Sequence, residues 1–295
     1  MKKIIIFGSG QSGSTLTSML IGSHSKITNL GEVYNLLNIN KKHPDKICMD
    51  GIKFDEHTIW KNLIFNLKKN NIEKVDSFYK NFFIKNKLLF RKNNKILCDL
   101  LFKFIPTENF VFTTKQIFRV KILLEDHYNR KNTKFIFLIR DPRAQINSVL
   151  KRRDQIIRKK KYFFKNEFFF FFRKSFSWFL NNLYSYLIYL RYRNKVNIKI
   201  VKYEDLTLNP SKYLNDIMEF CELQYENSQL EYYSHKHPIF SGNNNLIRRK
   251  DKVSFRKDFL KLKNTYWFFS SVFNLFFLIL YRYPLLKKKY ERKYS

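Results

Sequence analysis

Residues 8–15 of the sequence read GSGQSGST. The stretch meets the phosphate-loop template G-x-x-x-x-G-K-[ST] at each fixed position but one, with Ser14 where the template has lysine. The chemistry of such a loop is anion binding, by backbone N–H groups and by the N-terminus of the helix that follows. Gly8, Gly10 and Gly13 would let backbone approach an anion closely, and Ser14 and Thr15 place hydroxyls at the helix start. In triphosphate loops the lysine reaches the outer phosphates and the Ser/Thr binds Mg²⁺. Without that lysine, and without a clear acidic strand end to hold a metal, the loop suits one phosphate carrying an attached anionic group. A second anion site is written in FLIRDPRAQINSVLKRR: Arg140 closes a strand, Ser148 follows eight residues later, and Arg152 comes four residues after Ser148. That spacing puts Ser148 and Arg152 on one helix face, and guanidinium groups hold phosphates through charge-assisted hydrogen bonds. Two separated anion sites fit a nucleotide with phosphates at both its 5′ and 3′ ends.

The apolar pattern indicates which elements position these residues. Residues 4–7 read as a buried strand, 8–13 as a tight loop, and 14–22 as a helix with Leu16, Met19 and Leu20 on one face. KILCDLLF (95–102), NFVFTTK (109–115), KFIFLIRDP (134–142) and NIKIVKYEDL (197–206) read as strands, and 118–130, 143–157 and 211–223 as helices. Strands alternating with helices predict an α/β fold, a single domain over residues 1–295 with a central, mostly parallel sheet flanked by helices. In open sheets of this kind nucleotides bind beyond the carboxyl ends of the strands, where Arg140 falls. The basic, aromatic segment 158–193 predicts an amphipathic or buried helix pair rather than a nucleic-acid surface, because stacking platforms need exposed rings. The segment 266–286 is interrupted by Ser270, Ser271, Asn274 and Arg282 and predicts a buried or amphipathic C-terminal helix, with peripheral membrane contact as the second reading.

Composition sets the outer bounds. At 295 residues, with 44% hydrophobic and 18% aromatic content, the chain buries a large core. Its net charge of +33 points to anionic partners: nucleotide, nucleic acid, polysaccharide or a membrane surface. The same richness in Lys, Asn, Ile and Phe would follow from AT-rich coding, so charge alone selects no ligand. Only seven glycines occur, and four of them lie between Gly8 and Gly22. Cys48, Cys98 and Cys221 form neither a disulfide framework nor a C-x-x-C pair, which favours a reducing, cytoplasmic location. The apolar run Ile4–Phe7 is too short for the core of a signal peptide. His235 and His237 are two potential ligands without partners, so no metal site is expected.

GSGQSGSTL, then LGE at 30–32, LIRDPRAQINS and KYEDL, in this order, resemble the PAPS-dependent sulfotransferases, whose relatives include carbohydrate and tyrosylprotein sulfotransferases. The motifs span residues 4 to about 250. The resemblance implies a fold like that of the phosphate-loop nucleoside triphosphatases (NTPases), and PAPS (3′-phosphoadenosine 5′-phosphosulfate) as co-substrate without a metal. It assigns the 5′-phosphosulfate to the loop residues Gly10, Gln11, Ser12, Gly13, Ser14 and Thr15. It assigns the 3′-phosphate to Arg140, Ser148 and Arg152, with Tyr203 closing over it. Glu32 matches the general base, Lys115 a lysine beside the transferred group, and Arg119 a basic residue of the same segment that would meet substrate. Gly242 and Asn243 match a C-terminal loop that covers the cofactor. The sequence departs from the family pattern at Gln11 (often Arg or His), Phe112 (Asp), Asn244 (Pro) and Leu246 (Arg), and these changes bear on the acceptor more than on the cofactor.

The function expected is transfer of a sulfuryl group from PAPS to a hydroxyl, of a carbohydrate or glycolipid, with possible peripheral membrane contact and no specific nucleic-acid partner. Two other classes stay open on sequence: a small-molecule phosphotransferase using ATP and Mg²⁺, and a non-enzymatic basic protein that binds nucleic acid or an anionic surface.

Overall fold

A computed structural model describes residues 2–36, 46–70, 87–105, 107–115, 117–125, 132–153, 166–239, 241–242, 253 and 262–285. Five short strands form one sheet: β1 (Lys2–Phe7), β2 (Ile27–Gly31), β3 (Asn109–Thr114), β4 (Thr133–Ile139) and β5 (Ile198–Lys202). Their order is β2-β3-β1-β4-β5 and every pairing is parallel. The helices are α1 (Ser14–Gly22), α2 (Thr58–Lys69), α3 (Lys87–Phe104), α4 (Ile117–Glu125), α5 (Pro142–Leu150), α6 (Glu167–Tyr192), α7 (Tyr203–Leu208), α8 (Pro210–Phe220), α9 (Asn264–Phe273) and α10 (Leu275–Leu280).

The inner strands read as continuous apolar runs because a parallel sheet is covered on both faces. Alternate residues part company at β1. Ile5 and Phe7 enter a core with Phe112, Phe135 and Phe137, closed by Trp60 of α2, Val120 of α4, Trp178 of α6 and Phe277 of α10. Ile4 and Ile6 enter the opposite core with Val111, Ile136 and Leu138, closed by Met19 of α1 and Met218 of α8.

The order of strands fixes where a ligand can sit. From β1 the chain turns by way of α1 toward β2; from β4 it leaves in the other direction, toward β5. The crevice between the carboxyl ends of β1 and β4 is therefore the topological switch point, the place where open α/β sheets bind ligands.

Several expectations need correction. Residues 95–102 lie inside α3 and are not a strand. In a strand Leu97, Asp99 and Leu101 would share a face, whereas the helix buries both leucines and leaves Asp99 exposed. The remaining strand is instead β2, whose ITNLG carries little apolar signal and is held mainly by pairing with β3. β5 stops at Lys202 and Tyr203 begins a helix. The described part of segment 158–193 is one 26-residue helix, α6; residues 158–165, where the other member of the expected pair would fall, lie outside the described residues. Phe170 and Phe171 of its phenylalanine run are buried while Phe168 and Phe169 are exposed. The expected C-terminal helix is broken at Asn274, whose Nδ2 donates to Ser270 O at 2.9 Å, giving α9 and α10. Among the described residues no helix is long and apolar enough to cross a membrane.

Candidate active site

β1 delivers its last residue, Phe7, straight into the glycine loop, and the loop geometry explains two of its three glycines. A Cβ on Gly8 would stand 2.3 Å from the carbonyl oxygen of Leu138, so glycine is what lets the loop cross the end of β4. Gly13 has φ of +96° and a Cβ there would lie 2.1 Å from the Tyr203 ring. Gly10 has open space where its Cβ would be, so no protein atom demands glycine there. Gln11, with φ of +66°, takes the left-handed turn that reverses the chain.

The loop carbonyls are tied down from outside. Arg140 Nη1 donates to Gln11 O at 2.9 Å, and Gln145 Nε2 of α5 donates to Gly10 O at 2.8 Å. Ser148 Oγ approaches Gln11 Oε1 at 3.5 Å. Gly13, the residue before α1, contributes no capping side chain, so the first N–H groups of α1 are left to a ligand.

Tyr203, first residue of α7, lays its ring against Gly13, and the Arg140 guanidinium stands 4.6 Å from the ring centroid. Behind Arg140 lies a buried polar cluster. Asp141 accepts from Arg143 Nη2 at 2.6 Å, Nε at 2.9 Å and backbone N–H at 2.8 Å; both side chains are wholly buried. The acid next to Arg140 thus pairs with Arg143, not with Arg140, which keeps the Arg140 charge for the cleft. Arg143 stacks 4.4 Å from the Trp267 ring centroid. Glu204 accepts from Asp141 N–H at 3.0 Å and from Tyr283 Oη at 2.7 Å. Burial first, and the Asp141 charge second, push the Glu204 carboxyl up to about 7.

At the far side of the loop, Glu32 at the end of β2 pairs with Lys115 at the end of β3. Asn35 Nδ2 donates to the other Glu32 oxygen at 2.8 Å and lies 3.3 Å from Ser241 Oγ. Phe112 packs edge-on to Tyr34 at 5.7 Å, so an apolar wall stands at this position.

These groups converge on one cleft of about 150 Å³, lined by Gln11, Gly13, Ser14, Thr15, Leu16, Lys115, Arg140, Ser148, Arg152, Tyr203 and Gly242. Among the described residues three cations and no carboxylate line it. Arg152 reaches it from the turn that follows α5, not from the helix face itself. Gly10 and Ser12 belong to the loop without lining the cleft, and Glu32 stands one contact back, behind Lys115. Arg119 is not brought to the cleft: it is buried, 4.2 Å from the centroid of the Tyr34 ring. Asn243, Asn244 and Leu246 lie outside the described residues. His237 bonds through Nε2 to Tyr232 O at 3.1 Å and is pushed down to about 4, chiefly by burial. Among the described residues no three His, Cys, Asp or Glu side chains gather as a metal site would require.

The donor set suits a ligand with several phosphoryl or sulfuryl oxygens. Ser12 Oγ and Arg140 Nε are buried donors with no hydrogen-bond partner among the described residues. With the uncapped start of α1 and the uniformly positive lining, they ask for an anion. Gln145 and the Glu204–Asp141–Arg143 cluster escape sequence reading, since each acts on backbone or on buried charge rather than through a motif.

A parallel α/β sheet with a glycine loop at its switch point defines a phosphate-loop class of fold. Within that class, residues 3–227 match the profile of the Sulfotransferase family, and the chain belongs to that family. No protein of curated function matches the sequence. Solved structures with a similar fold include the sulfotransferase domain from the curacin biosynthetic pathway, at 18% identity and TM-score 0.50 over 86% of this chain and 83% of that one. The sulfotransferase domain of the Synechococcus PCC 7002 olefin synthase gives 18% identity and TM-score 0.53 over 86% and 84%. Sulfotransferase STF9 from Mycobacterium avium gives 10% identity and TM-score 0.53 over 95% and 76%.

Proposed function

We propose that the protein transfers a sulfuryl group from PAPS to a hydroxyl of a carbohydrate or glycolipid. One observation supports this above all: Gln11, Gly13, Ser14 and Thr15 of the loop line a single cleft with Arg140, Ser148, Arg152, Tyr203 and Lys115, and among the described residues no carboxylate lines it. When bound, PAPS supplies the sulfuryl group on a phosphate oxygen that departs as the group is transferred. The N–H groups of residues 10–15 and the hydroxyls of Ser14 and Thr15 hold the 5′ end, at the start of α1. Arg140, Ser148 and Arg152 hold the 3′-phosphate, and Tyr203 keeps the Arg140 guanidinium facing it. Gly242, which lines the cleft, covers the cofactor from the C-terminal side of the chain. Lys115 stabilises charge that builds on the transferred group and the departing oxygen.

Glu32 receives the proton of the acceptor hydroxyl as the new oxygen–sulfur bond forms. Both of its oxygens are engaged, by Lys115 and Asn35. Lys115 therefore has a double duty: it restrains the base until an anion in the cleft draws its ammonium away, and only then does the Glu32 oxygen become free to accept. Arg119 acts from behind, by setting the plane of Tyr34 on the acceptor side.

The test is calorimetric titration of PAP, the desulfated product, into wild type and Arg140→Ala, with and without Mg²⁺. Metal-independent binding that weakens at least about tenfold in the variant is expected, since a charge-assisted phosphate contact is worth about 1.5–3 kcal/mol. A folded wild type that ignores PAP but turns over ATP with Mg²⁺ would make the protein a phosphotransferase and sink the proposal.

A further inference from the structure

The outer faces of α6, α9 and α10 form an apolar surface that the cleft does not use. Phe176, Leu180 and Leu187 are exposed along α6 at helical spacing, while Trp178, Ser185 and Ile188 turn inward. Phe268, Phe276 and Ile279 are exposed on α9 and α10, with Phe268 and Ile279 each 62% accessible. Ring contacts join the two helical layers: Phe172 meets Phe273 at 5.2 Å and Tyr186 meets Phe276 at 6.2 Å between centroids. The surface is therefore one continuous apolar patch, of the kind that marks an interaction site.

Charge says what kind of partner it fits. In residues 167–192 and 264–280 the only acid is Glu167. It is committed at the head of α6, accepting from Tyr266 Oη at 2.9 Å and paired with Lys263 at 3.4 Å and Arg153 at 3.5 Å. Arg173 and Arg191 stand exposed in the same stripe of α6 as the leucines. In the sequence, Arg158–Lys161 precede α6, and Lys287, Lys288, Lys289, Arg292 and Lys293 follow α10. An apolar face whose own helices carry a single, committed acid, and which basic runs flank in sequence, has the chemistry of an interfacial anchor. Leu, Ile and Phe side chains enter the headgroup boundary, and Lys and Arg meet anionic lipid phosphates. No described helix is long and apolar enough to span the bilayer, which leaves lying on it.

We propose that the α6–α9–α10 face docks the protein on the surface of an anionic lipid bilayer. Nucleic acid is a poorer occupant, because Leu180, Leu187 and Ile279 offer no stacking plane. A second copy is opposed by the charge of +33 that each chain would bring. The proposal does not rest on sulfotransfer and stands or falls apart from it.

Co-sedimentation of the full chain with vesicles at about 0.15 M salt tests it. Vesicles of phosphatidylcholine with phosphatidylglycerol should bind the protein, and phosphatidylcholine alone at least about tenfold more weakly. Phe268→Ser/Phe276→Ser/Ile279→Ser should lower partition to the anionic vesicles at least about tenfold, since three apolar side chains would no longer enter the headgroup boundary. The residues are exposed, so the melting temperature should hold. Should the triple variant fail to fold, Phe268→Ser alone carries the test, with a loss of about threefold or more. Three results overturn the proposal: no binding to anionic vesicles, a triple variant that binds as wild type does, or a wild-type dimer in sedimentation that the triple variant dissolves.

Discussion

Gly13→Ala probes how tightly the loop, Tyr203 and Arg140 are locked together. A methyl group at residue 13 would stand 2.1 Å from Cδ2 and 2.2 Å from Cε2 of Tyr203, far inside the ~3.5–4 Å at which carbon atoms rest. The ring has to leave its seat. The backbone adds its own cost, because φ is +96°, a left-handed conformation that costs an L-residue about 1–2 kcal/mol. Displacing the ring costs about 1–3 kcal/mol more, the range for an overpacked site. The single variant should therefore lose about 2–5 kcal/mol of stability. Tyr203→Ala removes the collision, so on that background Gly13→Ala keeps only its backbone strain. A double-mutant cycle by urea denaturation should then give a coupling of about 1–3 kcal/mol. Losses that add to within about 0.5 kcal/mol would refute the reasoning, because they would mean that the ring is not against Gly13.

Glu204 should carry a pH signature of its own. Its carboxyl is raised from an ordinary 4.5 to about 7 by burial and by Asp141. Between those values the folded chain keeps a proton that the unfolded chain has released, so stability falls as pH rises through the window. Glu204→Gln retains partners for Asp141 N–H and Tyr283, and its melting temperature should gain on wild type between about pH 5 and about pH 8; parallel curves would overturn this. Arg143→Met leaves the Asp141 carboxylate buried and unpaired and should cost about 3–5 kcal/mol in urea denaturation. Adding Asp141→Asn should recover most of that loss, and a double variant no more stable than the single would show that the pair is not the source.

What could be read in advance was what local chemistry dictates. Glycine spacing, hydroxyls at a helix start and a strand closed by Arg-Asp-Pro are short-range signals, and β1, α1, β4 and the start of α5 fall where those signals put them, while α5 ends at Leu150, short of the expected 157. β2 was not legible because ITNLG acquires its strand character from β3, about 80 residues away in sequence. KILCDLLF misled because a short apolar run fits either period, and only the exposure of Asp99 between two buried leucines separates them. In the site, Gln145 was illegible for a different reason. Its amide serves the carbonyl of Gly10, 135 residues distant, and a contact to backbone leaves no trace in the identity of the residue contacted. The pairing of Asp141 with Arg143, rather than with its neighbour Arg140, also required the packing of Trp267 and Glu204 around them.

The serine that replaces the loop lysine gains its meaning from the sheet order. Across the carboxyl edge the strands run β2, β3, β1, β4. Their ends present, in that order, Glu32, Lys115, the glycine loop and Arg140. A positive charge does reach the cleft, but it comes from the end of β3, one strand over from the loop. Three interstrand spacings separate the outer members of the series, about 14 Å at ~4.8 Å each. If the 3′ anion lies at Arg140 and the 5′ end at the loop, then the third position, between loop and Lys115, is where the transferable group must stand, and Glu32 is the next group beyond it. On the proposed arrangement an acceptor would approach from the β2 side, next to Asn35 and Tyr34. A lysine on the loop itself would hold its charge at the start of α1; carried by β3, the charge pairs with Glu32, and under the proposed function it would turn from Glu32 to the ligand.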